Sequence, residues 1–179
     1  MDKKEFNDVI ECSIGLLEID RLKRPELYRK SGEAFEPRVA ECIKDALCKL
    51  KITADVDHTP GGHGFPDIII IDNAGNKFGV EVKSTIGNDW KINGNSILGS
   101  TRVPGIICTE IIFGHMKGEK SIFRHREYEK CVSDIVVTHS PRYKIDLDAE
   151  ESFFERSGLG YKYSTDLNEK HSVKRLNVN

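Results

Sequence analysis

The segment that most constrains this chain is Asp67-Ile68-Ile69-Ile70-Ile71, followed by Asp72-Asn73-Ala74-Gly75-Asn76 and then Lys77-Phe78-Gly79-Val80-Glu81-Val82-Lys83. Four consecutive β-branched side chains favour extended backbone, and so short an apolar run bounded by turn residues is a strand rather than a helix. It reads as a strand buried on both faces. The Asp, Asn and Gly cluster supplies a hairpin turn. Phe78, Val80 and Val82 then alternate with other residues along the partner strand. The centre of the chain is therefore a sheet built around this hairpin. Ile52–Val56 reads as a short strand before it, and Thr59–Pro66, with three glycines and two prolines, as a loop.

Helical periodicity brackets the hairpin on its N-terminal side. Phe6, Ile10, Ile14, Leu17 and Leu22 recur at helical spacing within residues 5–30, and Pro25 interrupts them. Ser31-Gly32 marks a break. Residues 33–50 form the clearest helix, with Phe35, Val39, Ile43, Ala46, Leu47 and Leu50 on one face. Pro37 is tolerated only near a helix start, which puts the first turn at Phe35–Arg38 with Glu36 on it. After Lys83 the chain is polar and glycine-rich to residue 104, with a helix expected to begin within Ser96–Thr101. Gly105–Phe113 reads as a core strand, and Ser121–Arg126 and Asp134–Thr138 as further strands. The remainder is polar and partly helical. The expectation is an α/β protein with a central mixed sheet flanked by helices. It would form one domain, with an N-terminal helical segment at 1–31, a core at 32–145 and a C-terminal extension at 146–179.

Composition narrows the setting. With 38% hydrophobic and 31% charged residues, the chain suits a soluble globular protein. No apolar run approaches the roughly 20 residues of a membrane span, and Met1-Asp2-Lys3-Lys4-Glu5 has no signal-peptide character. The expected location is the cytoplasm. Cys12, Cys42, Cys48, Cys108 and Cys131 are odd in number and form no C-x-x-C pair, so reduced thiols are expected rather than disulfides or zinc. The formal net charge is -2, which disfavours indiscriminate attraction to nucleic acid. The positive charge is concentrated in residues 85–145, directly after the hairpin.

The chemistry-bearing residues are Pro66-Asp67 and, thirteen residues on, Glu81-Val82-Lys83. Asp67 begins one strand. Glu81 and Lys83 share a face near the end of its partner. A turn centred near Gly75 would set Asp67 opposite Lys83. Two carboxylates and an ammonium then converge at one edge of the sheet. Mg²⁺ takes hard oxygen ligands, which Asp67, Glu81 and the backbone carbonyl of Val82 would supply, with Mn²⁺ as a substitute. A metal so held activates water and stabilises charge on a phosphate, and Lys83 would orient that water and stabilise negative charge. The plain alternative is a cross-strand salt bridge on a solvated hairpin rim.

Pro66-Asp67…Glu81-Val82-Lys83 resembles the signature of the PD-(D/E)XK nuclease superfamily, whose motif lies on such a hairpin. In that family the preceding helix often adds an acidic residue. Gly32-Glu33-Ala34-Phe35-Glu36 is similar to that element, with Glu36 as the first choice and Glu33 and Glu41 as alternatives. The resemblance spans roughly residues 32–113. It implies a restriction-endonuclease-like α/β/α sandwich with a central mixed β-sheet, double-stranded DNA as substrate, and a catalytic set of Asp67, Glu81, Lys83 and Glu36. The polar segment after Lys83 is similar to the recognition region of a type II restriction enzyme. That similarity implies a homodimer on a palindromic site and a methyltransferase acting on the same site. A repair, recombination or partner-activated nuclease of the same fold, or a DNA-binding module without catalysis, are the rivals.

Candidate DNA contacts follow. Asn93, Asn95, Ser96, Ser100, Thr101 and Arg102 carry side chains able to read base edges, and Trp90 to stack or pack; a solvated loop is the alternative. Lys117, Lys120, Arg124, His125 and Arg126 form a basic stretch, and Arg142 follows a predicted strand; phosphate contact and a solvated face compete there. His58 and His63 flank the glycine-rich loop and are expected to be exposed loop histidines. Gly61-Gly62-His63-Gly64 lacks the Gly-Lys-Ser/Thr ending of a P-loop, and His139-Ser140 has no carboxylate placed to complete a triad.

Overall fold

Asp2 starts the first helix. Its side chain accepts from the Glu5 N–H and the Glu5 carboxylate reaches back to the Asp2 N–H, a reciprocal capping box. Helix α1 (Lys3–Lys23) buries Phe6, Val9, Ile10, Ser13, Leu17 and Asp20 on one face. Pro25 cannot extend it and opens a 3₁₀ turn, Pro25–Tyr28. Helix α2 (Phe35–Leu50) has Glu36 in its first turn and buries Phe35, Val39, Ala40, Cys42, Ile43, Ala46 and Leu47. Lys51 ends it in the left-handed region, at φ 58°. The structure, a computed structural model, describes residues 1–30, 32, 34–59, 64–97, 102–137 and 140–161.

The strands are β1 (Ala54–His58), β2 (Ile68–Asp72), β3 (Lys77–Thr85), β4 (Lys91–Ser96), β5 (Ile106–His115), β6 (Ile122–Glu127), β7 (Val132–Val137) and β8 (Pro141–Asp146). Among the described residues two short helices, α3 (Tyr128–Cys131) and α4 (Phe153–Ser157), accompany them. The chain divides into two compact units.

The first unit, Met1–Asp89 with Thr101–Tyr128, holds α1, α2 and a five-stranded sheet of order β1-β2-β3-β5-β6. The sheet is mixed: β3 and β5 run parallel and the other neighbours antiparallel. The fold is thus α/β with a mixed sheet. Ile68, Ile70, Phe78, Val80, Val82, Ile112 and Phe123 turn to one face and pack with the apolar faces of α1 and α2. Phe6 meets Phe78 at 5.0 Å between ring centroids, and Phe35 stacks on Phe123 at 5.6 Å.

The isoleucine run of β2 is not buried on both faces as its sequence suggests. Ile68 and Ile70 are fully buried on the helix side, while Ile69 and Ile71 are half-buried. The turn differs too. The Asp72 side chain accepts from the N–H groups of Ala74 and Asn76, and the Gly75 N–H donates to the Asp72 carbonyl at 2.9 Å, with Gly75 at φ 80°. That turn pairs Ile71 with Lys77 and Ile68 with Val80, so the axis falls at Ala74 rather than Gly75. Continued one step, the ladder sets Asp67 across from Glu81 instead of Lys83.

The second unit, Trp90–Ser100 with Glu129–Asn179, contains a three-stranded antiparallel sheet of order β4-β8-β7. Ser96, expected to begin a helix, is the last residue of β4, held against β8 by its pairing with Arg142. Residues 98–101 lie outside the described residues. Strand β8 was not expected: Pro141-Arg142-Tyr143-Lys144-Ile145-Asp146 alternates with Tyr143 and Ile145 buried, but its charges mask the pattern. No helix among the described residues is long and apolar enough to cross a membrane.

Candidate metal and active site

Asp67 precedes β2 directly, and Glu81 and Lys83 sit on the second half of β3. Because β3 alternates, Val80 and Val82 face the helices, and Glu81 and Lys83 share the opposite face. The Asp67 carboxylate accepts from the Val82 N–H at 2.7 Å, which ties the start of β2 to the middle of Glu81-Val82-Lys83. Lys83 Nζ is 2.5 Å from Glu81 Oε1 and 3.9 Å from Asp67 Oδ2, and it donates to the Val82 carbonyl oxygen at 3.2 Å. The three residues expected to act together are therefore in mutual contact.

Gly79 explains how Pro66-Asp67 gets so close. A Cβ at position 79 would lie 2.5 Å from Pro66 Cγ and 2.9 Å from Thr109 Oγ1. Only a residue without a side chain leaves room for the proline, and hence for Asp67. The sequence carried that signal as a glycine inside a strand pattern.

Glu81 is only 3% exposed. Burial pushes its carboxyl up to about 7; the Lys83 ammonium opposes the rise and the Asp67 carboxylate adds to it. For Lys83 burial acts downward, but Glu81 and Asp67 outweigh it, with a smaller contribution from Glu36, and hold the ammonium above its ordinary value. Glu36 is thus within electrostatic reach of the trio.

The donor set fits a hard divalent cation. Glu81 Oε2 is buried and has no hydrogen-bond partner among the described residues. A buried acceptor left unpaired costs about 1–3 kcal/mol, and a cation beside it would remove that cost. Asp67, Glu81 and the Val82 carbonyl supply oxygen donors only, which suits Mg²⁺ better than a softer ion. Among the described residues no three His, Cys, Asp or Glu side chains form a metal cage. Mg²⁺ does not require one, since it is usually held by one or two carboxylates together with substrate phosphates and water.

The acidic candidates on the preceding helix separate. Glu41 is 60% exposed at its side chain and pairs with Arg38. Glu33 lies outside the described residues. Glu36 is the candidate whose charge contributes at Lys83. Its Oε1 lies 2.7 Å from His58 Nε2. His58 is not the exposed loop histidine that the sequence suggested. It is the last residue of β1, and its side chain is 8% exposed. Ala54, Val56 and His58 form the inward-facing alternation of that strand, a pattern visible in sequence once the strand is extended by two residues. His63 lies outside the described residues.

The proposed DNA contacts scatter. The β3–β5–β6 register aligns Lys83 with Phe113 and Arg124, and Glu81 with Ile111 and Arg126. Arg124 and Arg126 therefore share the sheet face of Glu81 and Lys83. His125 turns to the other face, where Nδ1 lies 3.1 Å from Glu110 Oε2, so the basic stretch is not one surface. Lys117 and Lys120 border the 3₁₀ turn Gly118–Lys120. Arg102 bridges to Phe65, and its guanidinium lies 4.9 Å from the Phe65 ring centroid, one residue from Pro66. Trp90, Asn93, Asn95, Ser96 and Arg142 belong to the second unit, where Trp90 accepts from the Leu147 N–H and Arg142 donates to the Gly94 carbonyl. Thr101 and Ser100 lie outside the described residues. Compared with known proteins, the chain matches no family model and no curated protein.

Proposed function

We propose that this chain is a Mg²⁺-dependent endonuclease that hydrolyses phosphodiester bonds of double-stranded DNA at specific sites. The observation that carries this reading is the contact set of Asp67, Glu81 and Lys83, with a buried Glu81 oxygen left without a hydrogen-bond partner among the described residues. A buried carboxylate–ammonium–carboxylate group is a poor device for stability, because desolvation opposes the attraction. It is a good device for holding a cation and a phosphate together.

In this reading Asp67, Glu81 and the Val82 carbonyl hold Mg²⁺, with Mn²⁺ as a substitute. The bound metal supplies a water of lowered pKa and stabilises charge on the attacked phosphate. Lys83 places its ammonium beside the reacting phosphate and orients the attacking water. Glu36 extends the acidic set from α2. The element order α2–β1–β2–β3–β5, with β3 parallel to β5, supports the core of a restriction-endonuclease-like fold around the mixed sheet; among the described residues α1 and α2 both cover one face of that sheet, and the second helical layer of an α/β/α sandwich is a proposal. The position of Arg124 on the face of Glu81 and Lys83, and of Arg102 beside Phe65, supports these two as phosphate contacts. Asn93, Asn95, Ser96, Trp90 and Arg142 remain the proposed contacts of the second unit with DNA. The net charge of -2 favours site-specific action over indiscriminate degradation. A homodimer in the cytoplasm, accompanied by a methyltransferase of the same specificity, completes the proposal.

Digestion of unmethylated phage-length duplex DNA with Mg²⁺, and in parallel with EDTA, tests it. Discrete fragments that vanish with EDTA are expected. A smear, or nicking confined to branched DNA, would favour a repair or recombination nuclease; DNA binding without cleavage under any metal would leave only a binding module.

A further inference from the structure

Glu36 uses one carboxylate oxygen on His58, at 2.7 Å, and its other oxygen has no hydrogen-bond partner among the described residues. His58 comes from a different element, the end of β1. There it pairs in register with Ile68, the residue that follows Asp67. The imidazole is thus tied through one ladder to the strand that directly follows Asp67, and through one hydrogen bond to the first turn of α2. A nearly buried imidazole needs a polar partner, and a carboxylate at this distance is a strong one. Its effect is to fix one oxygen of Glu36 and so the orientation of the carboxylate, whose charge is felt at Lys83.

We propose that His58 is a positioning residue of the metal site, locking the Glu36 carboxylate in the orientation that supports the bound divalent cation. This inference rests on the nuclease reading above for its chemistry, but it can be measured without cleavage. Partners behind a metal-binding group typically change metal affinity 10–100-fold when removed. The rival is a pair that merely pins α2 to β1; it would affect stability and leave metal binding unchanged.

The experiment is Mn²⁺ binding by calorimetry on the wild-type chain, His58→Ala, His58→Gln, Glu36→Gln and the double variant His58→Ala/Glu36→Gln. The Mg²⁺ concentration for half-maximal DNA cleavage is measured alongside. His58→Ala should weaken Mn²⁺ binding about tenfold and raise the Mg²⁺ requirement in step, while the rate at saturating Mg²⁺ changes much less. His58→Gln, which keeps an N–H donor, should recover most of the loss and serves if the alanine variant does not fold. The double variant should be no worse than Glu36→Gln alone, since both changes remove one coupled unit. Unchanged Mn²⁺ affinity in His58→Ala and His58→Gln, beside an active wild type, would overturn the role of His58 and leave the nuclease reading intact. A wild-type chain that cleaves nothing yet loses Mn²⁺ affinity on His58→Ala would support His58 and count against the nuclease. A wild type that neither binds Mn²⁺ nor cleaves would overturn both.

Discussion

Two buried acids show how differently one chain treats a carboxylate. Asp20 is 8% exposed and fully engaged. It accepts from the Tyr28 hydroxyl at 2.6 Å, from Arg24 Nε at 2.9 Å and from Arg38 Nε at 3.2 Å. Burial acts to raise its pKa, but Tyr28, Arg24 and Arg38 together hold it below the ordinary value. A carboxyl depressed in the folded state adds stability above its unfolded pKa, and that stability is lost as pH falls through the folded value. Asp20→Ala strands the Tyr28 hydroxyl and should cost about 1–3 kcal/mol in urea unfolding at neutral pH. The gap from wild type should begin to narrow as pH falls below the unfolded value of about 4 and should close as pH passes through the lower folded value, where the wild-type carboxylate itself becomes protonated. Glu81 is the opposite case, buried with one oxygen unpaired among the described residues. Glu81→Gln should therefore unfold at the same temperature as wild type or higher in EDTA, yet lose the rise in melting temperature that Mg²⁺ gives a protein whose folded state binds it. A Glu81→Gln chain that is still stabilised by Mg²⁺ to the wild-type extent would remove Glu81 from the metal site.

At the scale of elements, the hairpin decides the site, and its turn decides the hairpin. Sequence alone located both strands, the turn and the facing of Glu81 and Lys83, because period-two alternation and turn chemistry are local signals. It missed the register by one step on the turn axis, because hydrogen bonding by the Asp72 side chain selects which loop residues are excluded from the ladder. The helix of Glu36 was equally legible, since Pro37 fixes where such a helix can start. Strand β4 was not: Lys91-Ile92-Asn93-Gly94-Asn95-Ser96 has one apolar residue, and its pairing partner, β8, lies some fifty residues away in sequence. A strand read over Ile52–Val56 turns His58 into a loop residue, whereas β1 runs to His58 and faces it inward. Gly79→Ala tests the fit between hairpin strands and site. It forces Pro66 and Thr109 apart, at an expected cost of about 1–3 kcal/mol, and it should reduce cleavage more than Gly75→Ala, which strains a turn remote from Asp67. Equal activity losses in the two variants would contradict the role given to Gly79.

Over the whole molecule, an acidic balance of charge coexists with a positively charged middle third and with Arg124 and Arg126 on the face of Glu81 and Lys83. That combination suits an enzyme drawn to DNA through a limited set of contacts rather than through bulk charge. The most direct measurement of the central claim is Mg²⁺-dependent cleavage of duplex DNA by Lys83→Ala beside wild type, with melting temperatures recorded for both. The expected result is a loss of roughly 10²-fold or more in cleavage rate, on the scale of removing one electrostatic group from a transition state, with folding retained. Wild-type cleavage by a folded Lys83→Ala chain would contradict the assignment of Lys83 and place the catalytic site elsewhere.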